Sequence, residues 1–129
     1  MKRVGGQVTW LCEFDGPRAD LAACGNKRST LRRCHIVEAG DTLRLASADT
    51  GAVFAEVTVK SVRPITIGIS ERDGRLMGWA ELGGKPISAV EFDALAIADG
   101  FCCGAELVRY LDALGKFFAG LYDGQLIEW

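Results

Sequence analysis

The sequence predicts a small α+β domain. Three observations carry this: period-two apolar alternation through the middle of the chain, helical patterns after residue 88, and an apolar C-terminal run that reads as a returning strand. Several strands are short and their edges need cover, so the expectation extends to strands that curl into a β-barrel flanked by helices. At 129 residues the chain fits one domain spanning 1–129, with 49% apolar and 25% charged residues and no low-complexity tract.

The opening, MKRVGGQVTWLCEFDG, is basic but has no apolar h-region, because Gly5, Gly6, Gln7 and Thr9 interrupt it. It does not read as a signal peptide, and no later stretch is long enough to span a membrane. GPRADLAACG reads as a short helix, with Pro17 suited to its first turn and Gly25 to the left-handed position beyond its end. The basic stretch that follows is expected to be loop or irregular strand. EAGDTLRLAS turns at Gly40–Asp41 and begins a strand with alternating Leu43 and Leu45, and ADTG marks the next turn. In VFAEVTVKSV, Val53, Ala55, Val57 and Val59 alternate with Phe54, Glu56, Thr58 and Lys60, which predicts a half-exposed strand antiparallel to 42–47. Pro64 is expected to interrupt the sheet before ITIGI resumes it.

RLMGWAELGGKPIS predicts a hairpin about Gly83–Gly84. Ser88 and Glu91 have capping-box spacing and open a helix over 89–98, with Val90, Leu95 and Ile97 among its apolar positions and Gly100 as its stop. A further helix over 105–115 carries Leu107, Val108, Leu111 and Leu114 at helical spacing. GQLIEW closes the chain as a strand.

Five cysteines stand at 12, 24, 34, 102 and 103, none in a C-x-x-C pair, beside a single histidine, His35. This fits a reduced cytoplasmic protein without a metal or other cofactor. Cys24, Cys34 and His35 lack a fourth ligand at sensible spacing. The adjacent Cys102 and Cys103 read as small buried side chains.

Charge is segregated. The net charge is −2 and the pI about 5.4, yet GNKRSTLRR gathers Lys27, Arg28, Arg32 and Arg33 around Ser29 and Thr30, with no carboxylate from 22 to 36. Residues 91–129 carry seven acidic and two basic side chains. A solvated surface loop explains a cation cluster; segregation adds a local positive potential able to attract phosphate, which makes all four cations candidate nucleic-acid contacts. In an extended stretch Lys27, Ser29 and Leu31 face one way and Arg28, Thr30 and Arg32 the other, whereas a turn lets Lys27 and Thr30 converge. Phe14, Trp79 and Phe101 either supply a stacking surface for a base or belong to the core, as aromatics in a small domain more often do.

Gly25-Asn26-Lys27-Arg28-Ser29-Thr30-Leu31-Arg32 has the form G-x-K-x-x-T-x-R and resembles the signature of ASCH domains, relatives of the PUA-like RNA-binding fold. VEAGDTLRLASADTGAVFAEVTVKSVRPITI is similar to that family's GD-x-L strand, hairpin and V-x-P-I segment. ISAVEFDALAIADGF, the following helix and FFAGLYDGQLIEW resemble its C-terminal half, particularly in phage and prophage members, so the likeness covers residues 14–129. It implies a PUA-like barrel with flanking helices and a cleft beside the K-x-x-T loop that takes RNA or a modified nucleoside.

Some small bacterial members of that family are amidohydrolases that remove the acetyl group of N4-acetylcytidine. They use a lysine and a threonine of this motif with a glutamate from the later helical region. Lys27 and Thr30 match by position. Asp99 stands where the glutamate is expected, with Glu106 as the alternative. A threonine hydroxyl needs an adjacent base, and Lys27 could serve if burial, Arg28 or Arg32 lowered its pKa. Asp99 would take a hydrogen bond from the cytosine edge or orient Lys27. An acid at a helix C-terminus opposes the helix dipole, which argues for a role beyond closing a turn. The expected function is therefore an RNA- or nucleoside-binding domain, with amidohydrolase as the alternative. A ribonuclease ranks lower because His35 has no histidine partner.

Overall fold

The computed structural model describes residues 6–129, Arg72 by its backbone alone; the basic residues of the opening, within 1–5, lie outside them. In chain order the elements are β1 (Thr9–Phe14), α1 (Gly16–Ala23), β2 (Ser29–Arg32), β3 (Thr42–Ser47), β4 (Val53–Thr58), β5 (Ser61–Arg72), β6 (Arg75–Leu82), β7 (Lys85–Pro86), α2 (Ala89–Ala98), α3 (Gly104–Ala113) and β8 (Leu121–Glu128). The α+β class is as expected, but the described strands do not close into a barrel. They form two open sheets, ordered β1-β3-β4 and β2-β8-β5-β6-β7. The chain turns from one sheet into the other at residues 59–60, whose successive amides bond outward in opposite directions. Val59 N–H donates to Asp41 O and Lys60 N–H to Glu128 O, each at 2.8 Å.

β8 lies between two hydrophobic cores. Tyr122 and Leu126 join Ile65, Ile67, Phe92, Ala96, Leu107 and Val108 under α2 and α3. Ile127, on the opposite face, joins Phe14, Ala19, Leu43 and Leu45 under α1 and the smaller sheet. A strand covered on both faces loses its polar alternation, which is why the C-terminal run reads as nearly continuous apolar sequence.

Local signals hold in most elements. The Ser88–Glu91 capping box forms, with Glu91 N–H donating to Ser88 Oγ at 3.1 Å and Ser88 N–H to Glu91 Oε1 at 3.3 Å. β3 pairs antiparallel with β4, with a bulge between Leu45 and Ala46. One strand is new and three readings change. TWLCEF forms β1, parallel to β3, with Cys12 and Phe14 buried and Leu11 60% exposed. β5 runs straight through Pro64. Pro64 O accepts from Gly83 N–H, so the side of the strand lacking a donor faces β6 just beyond its last paired residue, Leu82, where no ladder bond is lost. α2 buries Phe92 and Ala96, while Val90 and Ile97 are 79% and 59% exposed. Cys102 and Cys103 are exposed and half-buried at the start of α3, not core residues.

One glycine positions the end of β2. A Cβ on Gly124 would lie 2.2 Å from Arg32 O and 3.2 Å from Arg33 Cα, so only glycine lets the Arg32–Arg33 backbone cross β8 this closely. Gly124→Ala is expected to lower the unfolding free energy by about 2–3 kcal/mol, against about 1 kcal/mol for the cap variant Ser88→Ala. Urea denaturation measures both; equal midpoints would show that the crossing is not tight.

Candidate functional site

The site begins where α1 ends. Gly25 takes φ +82°, and Asn26 and Lys27 N–H both donate to Leu21 O at 3.0 Å, which turns the chain back under the helix. Lys27 then enters the interior with only 1% of its surface exposed. From the other half of the chain, Phe92, Leu95, Ala96 and Asp99 fall at i, i+3, i+4 and i+7, so the stripe that docks α2 runs on into Asp99. Asp99 is 7% exposed and caps the helix, its N–H bonded to Leu95 O and Ala96 O.

The two side chains meet across 72 residues of sequence. Lys27 Nζ donates to Asp99 Oδ1 and, at 3.1 Å, to the Asp99 carbonyl oxygen. The ammonium thus satisfies both the carboxylate and a terminal carbonyl of the helix, and offsets the unfavourable placement of an acid at the negative end of the dipole. Phe14 lies beside the pair, its ring centroid 5.4 Å from Nζ.

Burial governs the titration of both groups. It lowers the Lys27 pKa below 10.5, opposed by Asp99 and reinforced by Arg32 and Arg18. It raises that of Asp99 above 3.8, opposed by Lys27. Desolvation therefore outweighs the mutual attraction. An ion pair of this kind adds little net stability, while removal of either partner strands a buried charge.

Beside the pair opens a cleft of about 300 Å³ between β2, the end of β1 and α3, with Thr30, Asp99, Phe14, Arg32, Tyr110 and Tyr122 in its walls. Thr30 is 3% exposed, and no described residue hydrogen-bonds its hydroxyl. Lys27 is not part of the wall; it holds Asp99 from behind. Two arginines are fixed on aromatic faces. Arg18 Cζ lies 4.1 Å from the Phe101 centroid and 4.3 Å from that of Tyr110, and Nη1 bonds Asp15 Oδ1 at 2.6 Å. Arg32 Cζ lies 5.0 Å from the Phe14 centroid, and Nη2 donates to Glu13 O at 2.7 Å.

The four cations of the motif part company. Lys27 is interior, Arg32 and Arg33 line the cleft, and Arg28 is exposed outside it, with Nε donating to Gly25 O at 3.3 Å. Lys27 and Thr30 do not hydrogen-bond, so the lysine is engaged by Asp99 in place of the threonine. Glu106 lies at the start of α3, accepting from Cys102 N–H at 3.3 Å and Cys102 Sγ at 2.8 Å; Asp99 is the acid that reaches Lys27. His35 is exposed, its Nε2 3.5 Å from Asp123 Oδ2. Of the proposed stacking residues, Phe14 and Phe101 are buried beside the arginines, while Trp79 lies over Gly68. Sequence reasoning missed Arg18, Tyr110 and Tyr122. Tyr110 follows Leu107 by three residues on the apolar stripe of α3, a spacing that could have flagged it.

Comparison of the chain with protein-family models, with curated proteins and with solved structures gives no match.

Lys27→Met and Asp99→Asn are each expected to lower the unfolding free energy by about 3–5 kcal/mol, and the double variant to lose less than their sum. The pH dependence has a defined sign. The stability contributed by the raised Asp99 pKa is present below pH 3.8 and lost as pH rises through the folded value. That withheld by the lowered Lys27 pKa returns as pH climbs from its folded value toward 10.5. Relative to the double variant, the wild type should weaken on leaving acid and recover on approaching pH 10.5. A difference independent of pH in chemical denaturation would contradict burial of the pair.

Proposed function

We propose that the chain is an RNA- or nucleoside-binding domain whose cleft, built on the Gly25–Arg32 motif, holds a pyrimidine nucleoside. The observation that carries this reading is the convergence of Thr30, Arg32 and Asp99 on one cleft, with Asp99 held from behind by Lys27. A volume of about 300 Å³ is at the small end of ligand clefts and suits one nucleoside rather than a folded RNA element. Asp99 Oδ1 is taken by Lys27, which leaves Oδ2 to accept from the amino group of a cytosine. Arg32 and Arg33 at the cleft supply positive charge for the phosphate of a longer strand. Kinship with ASCH domains and a place in a reducing cytoplasm are part of the proposal; the mixed α+β architecture and the five free cysteines are what support that part of it.

The second reading, an amidohydrolase of N4-acetylcytidine-type nucleosides, is favoured by the unpartnered hydroxyl of Thr30 in the same cleft as an acid whose proton affinity burial raises. Thr30 Oγ1 attacks the acetyl carbon, and Asp99 takes the hydroxyl proton and passes it to the nitrogen as the C–N bond breaks and cytidine leaves. Water then hydrolyses the acetyl–Thr30 ester to acetate; alternatively a water held by Thr30 attacks and yields acetate and cytidine directly. Lys27 acts by holding the Asp99 carboxylate rather than as the base itself. A ribonuclease is not favoured, since His35 lies outside the cleft residues.

Two measurements separate these readings. On the amidohydrolase reading, incubation with N4-acetylcytidine releases cytidine, with Thr30→Ala inactive and Asp99→Asn slowed at least about 100-fold; no release would leave the binding reading, and undiminished release by Thr30→Ala would remove Thr30 from the chemistry. For strand binding, Arg28, Arg32 and Arg33 are the cations of the motif that remain accessible, so binding of a single-stranded RNA through them should fall with a log–log salt slope of about −2, from roughly −0.7 per phosphate contact. A slope of zero would remove the strand-binding reading and leave the nucleoside.

A further inference from the structure

The cleft holds a polar group that the motif does not account for. Tyr122, on β8, is 2% exposed and belongs to the core beneath α2 and α3, yet it also lines the cleft. No described residue hydrogen-bonds its phenol oxygen, and that oxygen is not among the sealed-off polar atoms of the interior, which are the Nε atoms of Arg18 and Arg32. A buried tyrosine hydroxyl ordinarily finds a partner, and leaving one unmade costs more than a phenylalanine in its place would. Packing alone therefore does not explain a tyrosine here. Burial, followed by the nearby Asp99 carboxylate, raises its ionisation well above the ordinary phenol value, so the hydroxyl keeps its proton.

Three residues that line this space thus carry a group without a full complement of protein partners: Thr30 Oγ1, Asp99 Oδ2 and Tyr122 Oη. The carboxylate is an acceptor and the phenol a donor. We propose that Tyr122 is a ligand-contacting residue whose hydroxyl donates to a ring carbonyl of the bound base while Asp99 accepts from its amino group. This inference rests on the nucleoside reading of the cleft and narrows it. The ligand is a planar heterocycle with an N–H donor and a carbonyl acceptor on one edge, as in cytosine, and a base that presents only acceptors there leaves Asp99 opposed by a lone pair.

Calorimetric titration of the wild type and Tyr122→Phe with cytidine and with 2-thiocytidine, whose sulfur is a weak acceptor, tests the assignment. The wild type is expected to bind cytidine about 10-fold more tightly than the thio analogue, and Tyr122→Phe to bind the two alike, with cytidine weakened about 10-fold. Thermal unfolding of Tyr122→Phe should match or exceed that of the wild type, because an unsatisfied hydroxyl is removed; a loss of stability would mark a structural role. Equal binding of cytidine by both proteins overturns the role of Tyr122 and leaves the nucleoside reading standing. Failure of the wild type to bind either nucleoside overturns both.

Discussion

The rest of the structure depends on a lysine that has been taken out of water. Lys27 can sit 1% exposed only because Asp99 and its carbonyl oxygen arrive from 72 residues away to receive its protons. Each half of the chain brings its partner with local devices: a left-handed glycine and two amides on one carbonyl at the end of α1, and a buried helical stripe that continues into the cap of α2. The attraction within the pair does not make good the desolvation of both charges, as the opposite directions of their pKa shifts indicate. A hydrophobic pair could fill the same space at lower cost, so the ionic pair is better understood as holding a carboxylate in one orientation than as a source of stability.

That orientation gives the neighbouring cleft its character. With one oxygen of Asp99 engaged, the other is an acceptor of fixed direction, flanked by hydroxyls of Thr30 and Tyr122 and by guanidinium groups clamped on aromatic rings. The resulting wall mixes apolar side chains such as Phe14, Leu107 and Leu111 with charged ones, and two of its arginines, Arg18 and Arg32, are held against aromatic rings rather than on free stems. Such pre-organisation is what small-ligand recognition requires and what a merely solvated basic loop lacks.

Much of the fold was legible because its signals are local. Pro17 and Gly25 bound α1, Ser88 and Glu91 open α2, and Gly83–Gly84 turn the β6–β7 hairpin without reference to the rest of the chain. Hydrophobicity alone misled where burial depends on distant neighbours. Val90 and Ile97 are more apolar than Ala96, yet Ala96 is the residue completely covered, because with Phe92 it lies on the helix stripe that joins the core. Leu11 is exposed on β1, so the alternation of Trp10, Cys12 and Phe14 was hidden. Closure into a barrel is a property of pairings between sheets, which no local pattern encodes. At the site, the motif drew attention to Lys27 and Thr30 and the family resemblance to Asp99, but a cation in a basic run reads as surface, and its burial becomes visible only with its partner in place. Tyr122 carries no sequence signal of its own; its meaning comes from a hydroxyl left free beside that pair.

Chemical-shift mapping of the isotopically labelled protein during titration with cytidine tests the central claim most directly. The account predicts saturable shifts concentrated at the amides of Thr30, Asp99 and Tyr122, three positions far apart in sequence that share one wall. Shifts confined to the exposed basic residues around Arg28, or none at saturating nucleoside, would show that the buried pair supports the fold and nothing more.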